Sequence, residues 1–385
     1  MDKELSMANF CIVENIEAMI NAVKMIMTAI LFLTIKYIRF FIALIDVICR
    51  FKCHLMNLKH IFQYAFILCL SFGYIKAQNC SEQVNFTSAN PFSFSDIIQS
   101  LEQQETQEVF GQLRFPENEQ RLTQKYPLII GVAGSLGWRD HHYDYLKMYR
   151  ELGFATFELN SFKSRGINST VGSQDEVTIA AIVLDAFRAM DELAKHPDID
   201  PGQISITGWS LGGGVALFTA WKPLVDVLGK TNQFSSHLSF YPPCFIEPEN
   251  LTFVQAPIKI MIGEIDDWTP AAPCRTLVEV QSKQTDITLE VFKDAHHGFD
   301  STEEVVFNEK GYSFKNCLFE LTQGGDILMN YLKLPMSSPI MQKLGFLFCV
   351  KRGVHIGGNS IAREQAMKSA RAFMRAQLKA VEVYE

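Results

Sequence analysis

The sequence predicts an α/β fold with a mostly parallel central sheet flanked by helices. Short apolar, β-branched runs alternate with segments of helical period through the middle of the chain. That order builds parallel strands joined by helical crossovers. Some of the runs, such as residues 127–132, are continuously apolar rather than alternating, as strands buried on both faces are. A third observation sits at the centre. Residues 203–206 read as a buried strand and residues 215–220 as the start of a helix. The turn Thr207-Gly208-Trp209-Ser210-Leu211-Gly212-Gly213-Gly214 joins them.

With 385 residues, 48% of them hydrophobic, the chain can bury one large domain with additions. A net charge of −7 leaves no basic footprint, so no nucleic-acid partner is expected. Residues 1–55 form an apolar extension interrupted by Lys24, Lys36 and Arg39. They read as an over-long chain start upstream of Met56, with a membrane anchor as the alternative. Residues 56–77 have the layout of a secretory signal: a short basic start, an apolar centre at 61–74, and Ala77 as the last residue removed. That centre is shorter than the ~20 residues of a spanning helix. The expectation is export, with membrane anchoring as the rival.

Residues 78–385 then form the folded domain, with a C-terminal extension from about 301. In an oxidising compartment four of its cysteines can bridge. The expected pairs are Cys244 with Cys274 and Cys317 with Cys349, leaving Cys80 free, although spacing alone does not settle connectivity. Asn79, Asn85, Asn168 and Asn250 begin glycosylation sequons.

Within the domain, residues 79–115 read as loops and short strands, and 118–125 as a polar turn. Residues 127–132 form a central strand ending in Ala133-Gly134-Ser135-Leu136-Gly137, and a helix runs from Asp140 to Leu152. The His/Asp cluster at 140–144 sits at that helix start, where adjacent residues do not share a face, so no metal site is expected. Residues 153–159 are the next strand, and 175–195 an amphipathic helix with Ile179, Ile182, Val183, Ala186, Met190 and Leu193 on one stripe. Strands follow at 237–241, 258–263 and 287–292. In the extension, 311–317 reads as a short strand or loop, 345–350 as a buried apolar run, and Asn359 as the cap of a last helix. His355 is given no role.

The chemistry is read at the strand ends. Gly-x-Ser-x-Gly between strand and helix presents Ser210 at a tight apex, where the helix N-terminus aims free N–H groups. A carboxylate after the strand at 258–263, Asp266, and a histidine after the strand at 287–292, His297, complete the order Ser, Asp, His of an α/β-hydrolase. His297 would take the proton of Ser210, and Asp266 would hold the imidazole tautomer. The N–H groups of Ser135 and Leu211 are the expected oxyanion donors. Arg165 is a candidate to hold a substrate carboxylate, with a structural ion pair as the equal alternative.

These pieces resemble the dienelactone hydrolase family of the α/β-hydrolase superfamily. The resemblance rests on Gly208-Trp209-Ser210-Leu211-Gly212-Gly213, Ser161-Phe162 with Arg165-Gly166, Gly263 and Asp266 with Pro270 four residues on, and His297-Gly298-Phe299. It covers about residues 125–300. It selects Asp266 over Asp267 and His297 over His296. Two positions depart from it: the namesake enzymes use a cysteine nucleophile, and relatives commonly have His-Gly where this chain has Ala133-Gly134. The resemblance implies hydrolysis of an ester, lactone or thioester, with a small-molecule substrate and neither a metal nor an organic cofactor. The rivals are a peptidase or acyltransferase on the same three residues, and a binding protein that kept the fold without turnover.

Overall fold

The computed structural model describes residues 81–116 and 125–379. The apolar extension, the signal segment, Asn79, Cys80 and all but the last residue of the polar turn at 118–125 lie outside the described residues.

The architecture is an eight-stranded α/β sheet. Its strands are β1 (Glu82–Ala89), β2 (Thr106–Arg114), β3 (Tyr126–Val132), β4 (Ala155–Leu159), β5 (Ile199–Trp209), β6 (His237–Phe240), β8 (Ile258–Gly263) and β9 (Ile287–Phe292), in the order β1-β2-β4-β3-β5-β6-β8-β9. From β4 to β9 every neighbouring pair is parallel, while β2 runs antiparallel to both β1 and β4. This is the α/β-hydrolase fold, with the mostly parallel sheet the sequence predicts. The first two strands are the exception to the reading of 79–115 as loops and short strands. They pair over eight residues on the rim of the sheet. β1 is largely exposed and rich in polar residues, so its buried side chains are few.

Helices cover the sheet. Among them are α1 (Phe94–Ser100), α2 (Asp140–Glu151), the single turn α3 (Ser161–Ser164), α4 (Ile179–Leu193), α5 (Leu211–Phe218), α6 (Lys222–Leu228) and α7 (Ala271–Gln281). The α4 stripe is core from Ile182 to Leu193, and burial extends around the helix to Ala180, Leu184, Asp185 and Ala189, but Ile179 in its first turn is only half-buried and lines the cleft instead. Thr178 caps it, its hydroxyl accepting from the N–H of Ala181.

After β9 the chain leaves the sheet and builds a cap. Its elements are β10 (Val306–Ser313), β11 (Phe319–Leu321), β12 (Ile327–Leu328), α8 (Pro339–Leu347) and β13 (Lys351–Ile356). β10 pairs with β13, and β11 sits between β12 and the short strand β7 (Ile246–Pro248). The run at 345–350 therefore straddles the end of a helix: Gly345 and Cys349 are buried, while Leu347 and Phe348 are exposed. Phe245, Trp268, Phe314, Phe319, Met336 and Val354 belong to a second apolar cluster under this cap. Disulfides join Cys244 to Cys274 and Cys317 to Cys349. The first ties the loop after β6 to α7, and the second lies within the cap. The chain then returns to the main core through α9 (Ser360–Gln377), capped by the Asn359 side chain, with Ala370 and Met374 fully buried.

Candidate active site

Parallel strands bring their C-terminal ends to one edge. The strand order reverses between β3 and β5, and crevices open at such a reversal. Ser135 follows β3 and Ser210 follows β5, so both stand there.

Ser210 has φ 56° and ψ −114°, between the last residue of β5 and the first of α5. The turn closes only because its glycines lack side chains. A Cβ on Gly208 would lie 2.0 Å from the Gly212 carbonyl oxygen, and one on Gly212 would lie 2.2 Å from that of Val132. The N–H of Ser210 donates to the Phe240 carbonyl at 2.9 Å, which holds the apex to β6.

His297 Nε2 lies 2.9 Å from Ser210 Oγ, and its Nδ1 lies 2.8 Å from Asp266 Oδ2. Because an ionised carboxylate only accepts, this geometry places the imidazole proton on Nδ1 and leaves Nε2 to accept from the serine. Asp266 is further held by the Trp268 and Thr269 N–H groups, which donate to Oδ1 at 2.9 and 2.8 Å. Both side chains are buried, and the His297 ring is packed by Trp268 and Tyr241 with centroids at 4.9 and 4.6 Å. Asp267 and His296 point elsewhere, toward His355.

Leu211 begins α5, so its N–H has no partner within the helix. Ser135 stands in the Gly134–Gly137 turn, and both residues line the cleft beside Ser210. Gly134 approaches the elbow closely: a Cβ there would lie 3.0 Å from the Trp209 carbonyl oxygen. The Ser135 carbonyl accepts from the Thr170 N–H and the Ser169 hydroxyl, both at 2.9 Å, which orients the turn.

Arg165 requires a correction. It does not line the cleft. Its guanidinium, 8% exposed, forks onto both oxygens of fully buried Asp185 at 2.7 and 3.0 Å. It also donates to Asn90 Oδ1 and to the carbonyls of Ser161 and Ala89. All its donor nitrogens are used in joining α3 to α4 and β1, and none is left for a substrate carboxylate.

A buried acid near the site was not legible in the sequence. Asp300, fully buried, accepts from Trp209 Nε1 at 3.0 Å and from the Tyr241 hydroxyl at 2.9 Å. It thus ties the His297 loop to the strand behind Ser210 and to the end of β6. His142 stacks on Trp209 with centroids 4.5 Å apart, and burial drives its pKa well below the ordinary value. That histidine is a neutral packing element of the elbow. The only signal in the sequence was the proximity of Asp300 to His297.

The cleft is apolar. Phe245, Trp268, Phe314, Phe319, Met336 and Phe346 form much of its wall, several of them from the cap, and Ser135 and Gln174 supply polar groups. Among the described residues, no charged side chain lines it.

The sequence model of the dienelactone hydrolase family matches residues 123–315, half of the chain, and spans Ser210, Asp266 and His297. The chain belongs to the dienelactone hydrolase family. The family match ends before Cys317, so most of the cap lies beyond it. Two Mycobacterium tuberculosis proteins described as uncharacterised are each 27% identical over 165 residues, 40% of this chain. The chain spans 57% of the length of these relatives. Among solved structures, it is similar to a dienelactone hydrolase-like promiscuous phosphotriesterase from metagenomic libraries. That similarity has 12% identity and a TM-score of 0.47, over 78% of this chain and 100% of the other. It is also similar to esterase 2 of Thermogutta terrifontis with propionate bound. There the identity is 18% and the TM-score 0.43, over 59% of this chain and 88% of the other.

Proposed function

We propose that this dienelactone hydrolase family member is a serine hydrolase that cleaves an uncharged ester, lactone or thioester with an apolar acyl group. The observation that carries the reading is the relay from Ser210 Oγ through His297 to Asp266, at 2.9 and 2.8 Å, opening on an apolar cleft. In this mechanism Ser210 Oγ attacks the acyl carbon while its proton passes to His297 Nε2. The tetrahedral oxyanion is received by the N–H groups of Leu211 and Ser135. His297 then gives the proton to the leaving alcohol or thiol, and an acyl-enzyme remains on Ser210. Water, deprotonated by the same nitrogen, releases the acid. Asp266 keeps the imidazole in the required tautomer and offsets the charge it gains.

The uncharged substrate follows from the lining. A carboxylate in this cleft would be desolvated without a cationic partner, and Arg165 is committed elsewhere. A panel of p-nitrophenyl esters of increasing acyl length, a dienelactone with a free carboxylate, and chromogenic peptides tests the reading. Turnover of neutral esters with kcat/KM rising from acetate toward medium acyl chains is expected. Preference for the carboxylate lactone or for peptides would contradict it.

Export belongs to the same proposal. Two disulfides suit an oxidising compartment, extracellular or periplasmic. N-terminal sequencing of secreted material should begin at Gln78. A mature chain that retains residues 19–49 would indicate the anchor instead.

A further inference from the structure

Next to the catalytic acid and base stand two residues that the mechanism does not use. Asp267 follows Asp266 after β8, and His296 precedes His297 after β9. The cap brings a third side chain to them, His355 of β13. One ligand atom from each of the three lies within 4.8 Å of the others, the one such cluster of three potential ligands among the described residues. His355 Nδ1 is 2.7 Å from Asp267 Oδ2, and its backbone N–H donates to Asp267 Oδ1 at 2.8 Å. The imidazoles of His296 and His355 stack with centroids 5.1 Å apart and 30° between planes. Nδ1 of His296 is buried and has no hydrogen-bond partner. A buried, unpaired imidazole nitrogen is costly to leave unsatisfied.

We propose that Asp267, His296 and His355 bind a divalent transition-metal ion, Zn²⁺ by ligand type, that clamps the cap to the two catalytic loops. Two imidazoles and one carboxylate are a zinc donor set, with water completing the tetrahedron at this partly exposed position. Ligands at ~2.0–2.1 Å stand about 3.3 Å apart in a tetrahedron, so side-chain rotations of roughly an ångström gather the set. The backbone is already laced here. Gly357 N–H donates to the His297 carbonyl at 3.0 Å, Phe314 N–H to that of Trp268 at 3.1 Å, and the Ser313 hydroxyl to that of Asp267 at 2.6 Å. The ion would join three chain segments at the neighbours of Asp266 and His297. Its role is structural: Ser210 is activated by His297, and no proton or acyl step passes through the metal.

The test is Zn²⁺ binding to the metal-stripped full chain, read by competition with a chromophoric chelator and by thermal melting. One saturable equivalent with micromolar or tighter affinity is expected, with a Tm that rises on loading. His355→Ala and His296→Gln should each weaken that site at least tenfold and abolish the Tm rise. Absence of a saturable equivalent overturns the proposal, and so does binding that survives both substitutions. If either variant fails to fold, Co²⁺ in the unaltered chain decides. Intense visible bands of four- or five-coordinate Co²⁺ support the site, and the weak spectrum of the hydrated ion refutes it. Each readout is independent of ester turnover, so failure of the hydrolase reading would leave this result interpretable.

Discussion

Ser210 sits in a conformation that few non-glycine residues adopt, at φ 56°, and such strain costs on the order of 1–3 kcal/mol. The fold holds it there through the bare backbone of Gly208 and Gly212 and the hydrogen bond to Phe240. Strain of this kind is legible in sequence because glycine spacing reports it. The role of a charged side chain is not. Arg165 is compatible with a substrate carboxylate or with a structural ion pair, and only its three-dimensional neighbours separate the two. Breaking a buried ion pair from one side costs about 3–5 kcal/mol. Arg165→Met should therefore lower the unfolding free energy, measured in urea, by about 3 kcal/mol. KM for neutral esters should stay within twofold in the folded fraction. A selective rise in KM for carboxylate-bearing esters, with stability unchanged, would restore the substrate role.

Among the elements, the strands of the parallel sheet were readable because burial on both faces leaves uninterrupted apolar runs. β1 and β2 were not, because the rim strand β1 is mostly exposed and spends few residues on the core. In the cap, the run at 345–350 departs from the expected burial for a different reason. The run at 345–350 is apolar, but Ser338 and Pro339 set a helix start upstream of it, the Ser338 hydroxyl accepting from the Met341 N–H. The pairing of Cys317 with Cys349 agrees with the sequential expectation, but its consequence lies in the cleft. The bridge closes a loop of 32 residues that supplies Phe319, Met336 and Phe346 to the cleft wall. Chain-entropy reasoning gives such a bridge about 3–4 kcal/mol. A Cys317→Ala, Cys349→Ala double variant should lose stability of that order. It should also be cut earlier in the cap by limited proteolysis, and its KM should rise more for long acyl esters than for acetate. Equal effects on all chain lengths would mean that the cap does not shape the acyl site.

For the molecule as a whole, buried neutral histidines make acid a stress. His237 is fully buried at the start of β6. Its Nδ1 lies 3.0 Å from the Ala216 carbonyl and 3.1 Å from the Thr219 hydroxyl, the Phe234 ring packs beside it, and Nε2 is unpartnered. Burial lowers its pKa to about 4. The unfolded chain protonates this group near the ordinary value of about 6.5, and the native chain does not until about pH 4. Stability is therefore whole above pH 6.5 and declines as pH falls from there to about 4. The contribution is on the order of 3 kcal/mol. His141 and His142, also lowered by burial, act in the same direction. In urea unfolding between pH 7 and pH 4, His237→Asn should show a shallower loss of stability than the parent chain. An identical slope would mean that His237 does not carry this linkage.

The central claim is that a serine hydroxyl on a strained turn is made nucleophilic by an imidazole 2.9 Å away. Reaction with a fluorophosphonate, read by intact mass and peptide mapping, tests it most directly. The account predicts one adduct, on the peptide containing Ser210, that disappears in Ser210→Ala and forms at least a hundredfold more slowly in His297→Gln. A parent chain that stays unmodified, or an adduct that persists without Ser210, would contradict it.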